Sequence, residues 1–273
     1  GRVAENQRIA QLVQEIHRES PDKGYRRIRD DLDKYYHTPV NDKRTLRICR
    51  GLGIQSVVKH APHGCTRAAS SPRDIRSTIK YNNHGCTRRA KNPQYLAENL
   101  LDRQFYAAKP NEKWLTDVTE FHYYTGTNMR KLYLSAILDL CDRRIVSFVI
   151  RDTNDAALVH RTLAQALEGN PGARPLLHSD RGSAYTTQIF HDKLAAAGIT
   201  QSMSRVGKCI DNGPMEGFWG ILKRERYYGR RFTSREQLVK MIQEYITYYN
   251  FHRLQRGLGV RTPMEVHDRL LAA

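Results

Sequence analysis

The sequence predicts an α/β fold in which a mixed sheet follows a small helical domain. Three patterns predict it. Apolar residues recur with helical spacing over the first 50 residues. Three β-rich runs joined by short turns lie between residues 114 and 150, and strand and helix patterns then alternate to about residue 222. With 273 residues, 40% of them hydrophobic, the chain can bury one large core and one small one.

The helical domain, residues 1–55, is predicted to contain three short helices. An apolar stripe marks the first, Gly24 opens the second, and Asn41 can cap the third, with Leu46 and Ile48 as its core positions. Such a unit is typical of helix-turn-helix DNA-binding domains, although an ordinary three-helix module with solvated charges is the alternative. The basic residues expected to contact DNA are Arg26, Arg27, Lys43, Arg44 and Arg47.

Residues 56–108 are predicted to form a basic linker. From residue 56 to 92, eight Lys and Arg accompany one acid, which favours a segment that tracks phosphates. His-Gly-Cys-Thr-Arg occurs at 63–67 and again at 84–88. Its His and Cys residues could bind zinc, but their spacing is unusual for zinc ligands, so a duplicated phosphate-binding strand is the preferred interpretation. The candidate phosphate contacts are Arg67, Arg88 and Arg89.

The third domain, residues 109–273, is predicted to carry the sheet. A short helix from Tyr95 to Phe105 leads into it. Three strands joined by short turns form an antiparallel meander, and a strand, a helix, a second strand and a further helix come after them. This is the strand order of an RNase H-like fold. The predicted strands are 114–121, 131–140, 144–150, 174–179 and 199–204, and helices are predicted at 155–167, up to about 197, from Pro214 and at 238–250.

The helix that opens at Pro214 carries a glutamate in its first turn. Asn212-Gly213 is a turn dipeptide, and Pro suits the first helical position because it has no N–H to leave unpaired. Phe218, Ile221 and Leu222 share one face, which we expect to pack, while Glu216, Gly220, Lys223 and Tyr227 share the opposite, outward face. Taken alone, Glu216 could merely complement the positive end of the helix.

Three acids lie where the predicted sheet would bring them together. Asp117 is in the first strand, Asp180 follows the fourth, and Glu216 is on the helix. Three carboxylates at one point repel one another, and divalent cations are the economical explanation for them. Mg²⁺ prefers oxygen ligands, and two such ions roughly 4 Å apart can stabilise both the attacking and the leaving oxygen of phosphoryl transfer.

Other groups near these acids are predicted to be structural. Glu120 and Asp139 are expected to form structural pairs or to face solvent, and Asp211 to satisfy turn amides. His178 could transfer a proton, but a packed histidine at a strand end is the preferred interpretation.

The charge and cysteine content suggest the partner and the compartment. Lys and Arg number 45 against 28 Asp and Glu, a net charge of +17, which favours a nucleic acid over a merely solvated surface. No apolar run approaches the roughly 20 residues that span a bilayer, so no membrane association is expected. Five cysteines without a C-x-x-C pair predict reduced thiols in a cytoplasm. The chain begins at Gly1 without a methionine, so an upstream segment is expected.

Several motifs together resemble the DDE transposase and integrase superfamily, and most closely the second-frame product of insertion-sequence-three family transposases. The second and third acids are separated by 35 residues, as is common in that superfamily. The resemblance covers most of the chain, though not the basic linker. The matching segments are Gly24-Tyr25-Arg26-Arg27-Ile28, Trp114 to Thr119, His178 to Tyr185, Asp211 to Glu216, Leu222 to Glu225, and Tyr248 through Arg253 to Thr262-Pro263.

This resemblance implies that Asp117, Asp180 and Glu216 hold two Mg²⁺ ions, for which Mn²⁺ substitutes. They would support nicking at transposon ends and strand transfer by the freed 3′-hydroxyl. Lys223, seven residues after the glutamate, would meet a phosphate of the DNA end. Trp219 stands where the family commonly has Phe, a conservative difference. Further basic residues expected to contact DNA are Arg205, Lys208 and Arg224.

The implied partners are double-stranded DNA, both as terminal inverted repeats and as target, and a second copy of the chain on paired ends. The implied location is the cytoplasm of a bacterial-type cell, associated with the nucleoid. Two alternatives stay open at this point. One is an RNase H-like nuclease that only hydrolyses nucleic acid, and the other is a non-catalytic DNA-binding protein in which the helical domain dominates.

Overall fold

The computed structural model describes residues 1–58 and 93–272. The chain divides into two units, Gly1–Gly85 and Cys86–Ala273, and each is described by itself. The repeated His-Gly-Cys-Thr-Arg segments, together with Arg67, Arg88 and Arg89, lie outside the described residues. Within the part of the chain that is described, every helix is too short or too polar to cross a membrane.

The N-terminal unit consists of three helices, as predicted: α1 (Arg2–Glu19), α2 (Tyr25–Lys34) and α3 (Asp42–Gly51). The Asn41 side chain caps α3 by accepting a hydrogen bond from the Arg44 N–H at 2.7 Å. The predicted core positions of α3 were partly right, since Ile48 packs against the core of this unit. Leu46 and Ile48 are only partly buried, because the face of α3 that meets the other helices carries Thr45 and Cys49.

The second unit is built on one five-stranded mixed sheet. Its strands are β1 (Lys113–Thr125), β2 (Asn128–Asp139), β3 (Ile145–Arg151), β4 (Leu176–Ser179) and β5 (Thr200–Met203), in the order β3-β2-β1-β4-β5. β1, β2 and β3 pair antiparallel, while β1, β4 and β5 pair parallel. The helices are α4 (Ala156–Gly169), α5 (Gln188–Ala196), α6 (Gly213–Leu222), α7 (Arg235–Phe251) and α8 (Pro263–Leu271). The predicted RNase H-like strand order is therefore present.

Both faces of the sheet are covered because successive side chains of a strand point to opposite sides. On one face, Leu115 and Phe121 of β1 join a core with residues of α6 and α7. On the other, Trp114 and Val118 join a core with residues of α4 and α5. Asp117 lies between Leu115 and Phe121 at the same alternate positions of the strand, so its side chain lies on their face of the sheet, toward α6.

The segment before β1 differs from the prediction. Residues 95–105 do not form a helix, and near the end of the segment Asp102 and Arg103 adopt positive φ angles of 40° and 60°, which an α-helix cannot contain. The segment instead forms part of the second unit. The backbone N–H of Tyr95 donates to the Thr186 carbonyl at 3.0 Å, and Leu101 is buried. Residues assigned to the linker from the sequence thus pack on the sheet-containing unit.

The chain immediately after α6 also departs from the prediction. Residues 223–227 form a single π-helical turn. The extra residue in this turn changes the direction in which the later side chains point. Tyr227, predicted to face outward, instead packs edge-on against Phe121 with ring centroids 5.0 Å apart.

Candidate active site

The strand register brings Asp117 and Asp180 together. The last parallel pair between β1 and β4 is Leu115 with His178. Two residues beyond this pair come Asp117, still within β1, and Asp180, just after β4. The two acids therefore lie side by side where β4 ends. Asp180 is the first residue after β4, and its Oδ1 accepts a hydrogen bond from the Gly182 N–H at 2.9 Å. This contact orients the carboxylate at the start of the following loop.

The third acid comes from α6, which packs tightly onto the sheet. Met215, Phe218 and Leu222 are buried, and the Phe218 ring meets the Tyr249 ring of α7 with centroids 4.7 Å apart. Just before α6, the Asn212 side-chain amide donates to the Thr116 carbonyl of β1 at 3.3 Å. The beginning of α6 is thus held beside the strand that carries Asp117.

Trp219 links α6 directly to the first acid. Its Nε1–H donates a hydrogen bond to Asp117 Oδ2 at 3.0 Å. Trp219 itself is nearly buried, with 6% of its surface exposed. Because Glu216 and Trp219 are three residues apart, they lie on neighbouring parts of the helix surface, and the contact brings the Glu216 turn toward Asp117.

The electrostatics of the site are those of crowded anions. Burial, and then the charge of Asp180, raise the pKa of Asp117 to about 8, and Glu216 adds a smaller effect in the same direction. Hydrogen bonds from the Val118 backbone and from Trp219 act the other way. Burial alone raises the pKa of Glu216. The carboxyl groups of Asp117 and Asp180 therefore repel each other in the absence of a counter-charge.

No preformed cluster of three metal ligands is present among residues 1–58 and 93–272. Asp117 and Asp180 interact strongly, whereas Glu216 affects Asp117 more weakly. The oxygen donors of the first two acids fit a hard divalent cation, which prefers carboxylates. Participation of Glu216 in a complete set of ligands stays a prediction.

A buried tyrosine lies behind the acid pair. The Tyr185 hydroxyl is 3.4 Å from Thr116 Oγ1, and its ring is fully buried. Burial, followed by the charges of Asp117 and Asp180, raises the pKa of Tyr185 well above its ordinary value. Tyr185 thus remains neutral and supports the loop that follows Asp180.

His178 bridges β4 and β5. Its Nδ1 lies 2.9 Å from Ser202 Oγ, and its Nε2 lies 3.0 Å from Ser204 Oγ. Burial lowers the pKa of His178 to about 4, so the imidazole is neutral near pH 7. These contacts are those of the packed strand-end histidine preferred from the sequence.

Asp211 has a larger structural role than turn stabilisation. The prediction that it satisfies turn amides accounts for one contact, from the Arg205 N–H at 3.1 Å. Its carboxylate also accepts hydrogen bonds from the Arg205 guanidinium at 2.9 Å and from Arg103 Nε at 2.7 Å. Asp211 therefore ties the segment before β1 and the loop after β5 to the approach to α6.

The remaining acids considered from the sequence make structural contacts. Glu120 lies 2.7 Å from His122 Nε2 and 3.0 Å from Lys131 Nζ. Asp139 is fully buried and accepts hydrogen bonds from the backbone N–H groups of Asn111 at 2.6 Å and Cys141 at 2.7 Å. Both side chains are thereby occupied away from the acid pair.

Comparison with known proteins identifies the family. Residues 107–209 and 197–263 each match an integrase core domain, and residues 4–62 match an HTH-like domain. An uncharacterized transposase-like protein of Haemophilus influenzae is 44% identical over 177 residues, which are 65% of this chain and 80% of the relative. The chain belongs to the DDE transposase and integrase family.

Other relatives of this transposase family agree. The transposase InsF of insertion sequence IS3A from Escherichia coli is 33% identical over 179 residues, covering 65% of this chain and 61% of the relative, so the chain spans less than two thirds of that protein. In fold, the chain is similar to a protein in the intasome of simian T-cell lymphotropic virus, with a TM-score of 0.50 and 17% identity over 95% of this chain and 74% of that one. The integrase core matches and the transposase relatives support a function of the transposase and integrase class. They do not favour a nuclease that only hydrolyses or a non-catalytic DNA-binding protein.

The basic residues predicted to contact DNA in this family member have varied surroundings. In the N-terminal unit, Arg26 lies over the Tyr25 ring, Arg27 pairs with Asp22 and Arg44 pairs with Glu5. In the second unit, the Lys223 ammonium lies 5.1 Å from the centroid of the Phe121 ring. Arg205 is held by Asp211. The predicted contacts that are exposed are Arg26, Lys43, Arg47, Arg205, Lys208 and Arg224.

Two functional features escaped the sequence analysis. Trp219 was treated as a conservative aromatic replacement, although its position three residues after Glu216 could have suggested a group beside the acids. Asp211 binds Arg103 and Arg205, which precede it in sequence by 108 and 6 residues. No local pattern indicates this pairing.

Proposed function

We propose that the protein is a DNA transposase that nicks DNA at the ends of its element and joins the freed 3′-hydroxyl to a target. The observation that supports this most directly is the acid pair, Asp117 with Asp180, placed at the edge of the sheet beside α6. A DNA backbone lying along this edge would present its phosphates to the two carboxylates and to the first turn of α6, which carries Glu216.

The acid pair is suited to Mg²⁺, with Mn²⁺ as a substitute. Asp117 and Asp180 would hold the ions, and Glu216 would complete the set from α6. Two such ions, when bound, supply charge that stabilises the attacking and leaving oxygens of the phosphate. The raised pKa of Asp117 supports this assignment, because the repulsion between the two carboxylates that contributes to it is relieved when a cation lies between them.

The surrounding residues would keep the acids in place during the reaction. The Gly182 N–H holds Asp180, and the Trp219 indole holds Asp117. Tyr185 and His178 are buried and neutral, so neither competes with the carboxylates as a charged group. Lys223, whose ammonium lies over Phe121 at the end of α6, would meet a phosphate of the DNA end.

The partners follow from the same family assignment. The helical unit would bind the terminal inverted repeats, and the sheet-containing unit would act on their ends and on target DNA, with two copies of the chain pairing two ends. Such a protein would work at the nucleoid.

The test uses the purified protein with Mg²⁺ or Mn²⁺, labelled duplexes carrying the ends of its own element, and a plasmid target. We expect nicked ends and, after sequencing, joined products with the 3′ end covalently linked to target DNA. Nicking without any joining would identify a nuclease that only hydrolyses. Binding without nicking in either metal would identify a non-catalytic DNA-binding protein.

A further inference from the structure

The β1–β2 hairpin extends well beyond the rest of the sheet. β1 pairs with β4 only through Lys113, Trp114 and Leu115, yet it continues to Thr125. The hairpin arm, defined as residues 119–134, therefore projects past the edge of the sheet where Asp117 and Asp180 lie. On the side away from β2, this part of β1 has no neighbouring strand among the described residues.

A basic segment, residues 223–232, follows α6 and covers part of that open edge. The Tyr227 hydroxyl accepts a hydrogen bond from the His122 N–H at 2.8 Å and donates to the His122 carbonyl at 3.2 Å. The Phe232 carbonyl accepts from the Tyr124 N–H at 2.9 Å. The rings of Tyr227 and Phe232 stack with centroids 5.7 Å apart. The segment is thus fixed on the arm by backbone pairing and by aromatic contacts.

The surface formed by the arm and the basic segment is strongly positive. Its cations are Arg130 and Lys131 on the arm and Lys223, Arg224, Arg226, Arg230 and Arg231 on the segment. Of its two acids, one is neutralised by an arginine outside the surface and the other offsets one of its cations. Glu225 pairs with Arg253 at 2.8 Å and accepts from the Tyr245 hydroxyl at 2.9 Å, while Glu120 pairs with Lys131.

Contacts with aromatic rings hold two of these cations in place. Arg231 lies 4.6 Å from the centroid of the Tyr124 ring, and Arg226 lies 5.6 Å from that of Tyr248. Guanidinium groups held over rings lose less conformational freedom on meeting an anion than groups on a mobile tail. Arg130, Arg230 and Arg231 are exposed. Several guanidinium groups on one surface suit the repeated phosphates of a polyanion.

We propose that the hairpin arm and the basic segment form a docking surface for the backbone of duplex DNA at the end of the element. The basic segment begins at Lys223, directly after the helix that carries Glu216, so a duplex whose end lies at the acid pair would continue along it. Arginine binds phosphate through paired N–H donors without reading the base sequence. The choice of the element's end as occupant rests on the proposed function.

The first test measures binding alone, without divalent metal, so that it does not depend on catalysis. Arg230→Gln/Arg231→Gln is compared with Arg161→Gln/Arg269→Gln, which removes the same charge from exposed positions on α4 and α8. Affinity for the end duplex is measured by fluorescence anisotropy over a range of salt concentrations. We expect the first pair to weaken binding. It should also reduce the slope of the logarithm of the affinity against the logarithm of the salt concentration by about two, as for the loss of two phosphate contacts. Identical behaviour of the two pairs would overturn the proposal.

Single variants separate the charge from the fold of the arm. Arg231→Lys keeps a positive charge beside the Tyr124 ring. Arg230→Gln removes a charge but leaves the ring contacts of the segment intact. We expect Arg231→Lys to retain most of the affinity and Arg230→Gln to lose part of it, with unchanged melting temperatures. Full affinity in Arg230→Gln would count against the proposal.

A second assay identifies which duplex occupies the surface. If the end duplex does, Arg230→Gln/Arg231→Gln lowers nicking of end substrates in Mg²⁺. Normal nicking with loss of joining alone would assign the surface to target DNA and overturn the choice made here. If the wild type neither nicks nor joins, the proposed function fails, while the metal-free binding comparison still decides whether the surface holds duplex DNA.

Discussion

The indole N–H of Trp219 donates a hydrogen bond to Asp117 Oδ2 at 3.0 Å. This contact joins the helix that carries Glu216 to the strand that carries the first acid. A group that holds a metal-binding carboxylate in one orientation influences the metal without touching it. Because Phe has no such donor, the effect can be tested by one substitution that keeps an aromatic ring in the core.

Trp219→Phe is expected to raise the Mg²⁺ concentration needed for half-maximal nicking by about 10- to 100-fold, the usual cost of losing a partner of a metal-binding side chain. The protein should remain folded. The measurement is a metal titration of end nicking, accompanied by calorimetric titration of Ca²⁺ or Mn²⁺ binding without DNA. Trp114→Phe is the matched control, because the Trp114 indole also donates to a buried carboxylate, Asp139 Oδ2 at 3.3 Å, away from the acid pair. An equal metal requirement in both variants would show that Trp219 does not position Asp117.

Asp117→Asn, Asp180→Asn and Glu216→Gln are each expected to abolish nicking and joining while end binding stays nearly intact. Each change removes a negative charge needed to hold a cation but preserves the size of the side chain. Nicking, joining and anisotropy-based binding are measured on the same preparations. Glu168→Gln is the control, since Glu168 is an exposed residue of α4 outside both the acid pair and the docking surface. Normal activity in any of the three variants would remove that residue from the catalytic set.

Much of the fold was predictable because local patterns determine it. The Asn41 cap and the Pro214 helix start each depend on residues close in sequence. The short helix predicted before β1 was wrong because leucine spacing says nothing about the positive φ angles at Asp102 and Arg103. Those conformations accompany tertiary hydrogen bonds, such as that from the Leu101 N–H to Ser202 Oγ at 3.1 Å.

The candidate site was predictable only in part, for a similar reason. Asp117 and Asp180 could be placed together because the sequence puts their strands in one sheet, with Asp180 directly after the fourth strand. The contact between Trp219 and Asp117 depends on the rotation of α6 about its own axis, which the spacing of apolar residues fixes only coarsely. The π-helical turn after Leu222 could not be foreseen at all, because it depends on the packing of Tyr227 on Phe121 and His122.

Asn250→Asp is expected to destabilise the second unit by about 1–3 kcal/mol at neutral pH, the cost of an unsatisfied buried polar group. The Asn250 side chain accepts from the Ile145 N–H at 2.9 Å and donates to the Ile145 carbonyl at 3.0 Å, so it pairs with the edge strand β3 as a neighbouring strand would. The carboxylate of an aspartate still accepts a hydrogen bond from the Ile145 N–H. Its second oxygen, however, faces the Ile145 carbonyl oxygen and repels it. Urea unfolding gives the change in free energy. Gln243→Glu makes the same chemical change at an exposed position of α7 and should alter stability little, and equal effects of the two substitutions would contradict this account.

Asp211→Asn is expected to lower the melting temperature by several degrees at pH 7 and by progressively less as the pH falls below about 4. The pKa of Asp211 is held well below its ordinary value, chiefly by the hydrogen bond from Arg205 and also by that from Arg103. A carboxyl group whose pKa is lower in the folded than in the unfolded protein adds stability above its unfolded pKa of about 4, and that contribution is lost as the pH falls toward the folded value. The difference between wild type and variant should therefore shrink steadily as the pH falls below about 5, without vanishing by pH 2, when both are followed by circular dichroism. Asp102→Asn serves as the control, because Asp102 is 67% exposed on its side chain and lies 3.7 Å from the same Arg205. A difference between wild type and Asp211→Asn that stays constant across this range would mean that the carboxylate stabilises the approach to α6 by shape and hydrogen bonding rather than by its charge.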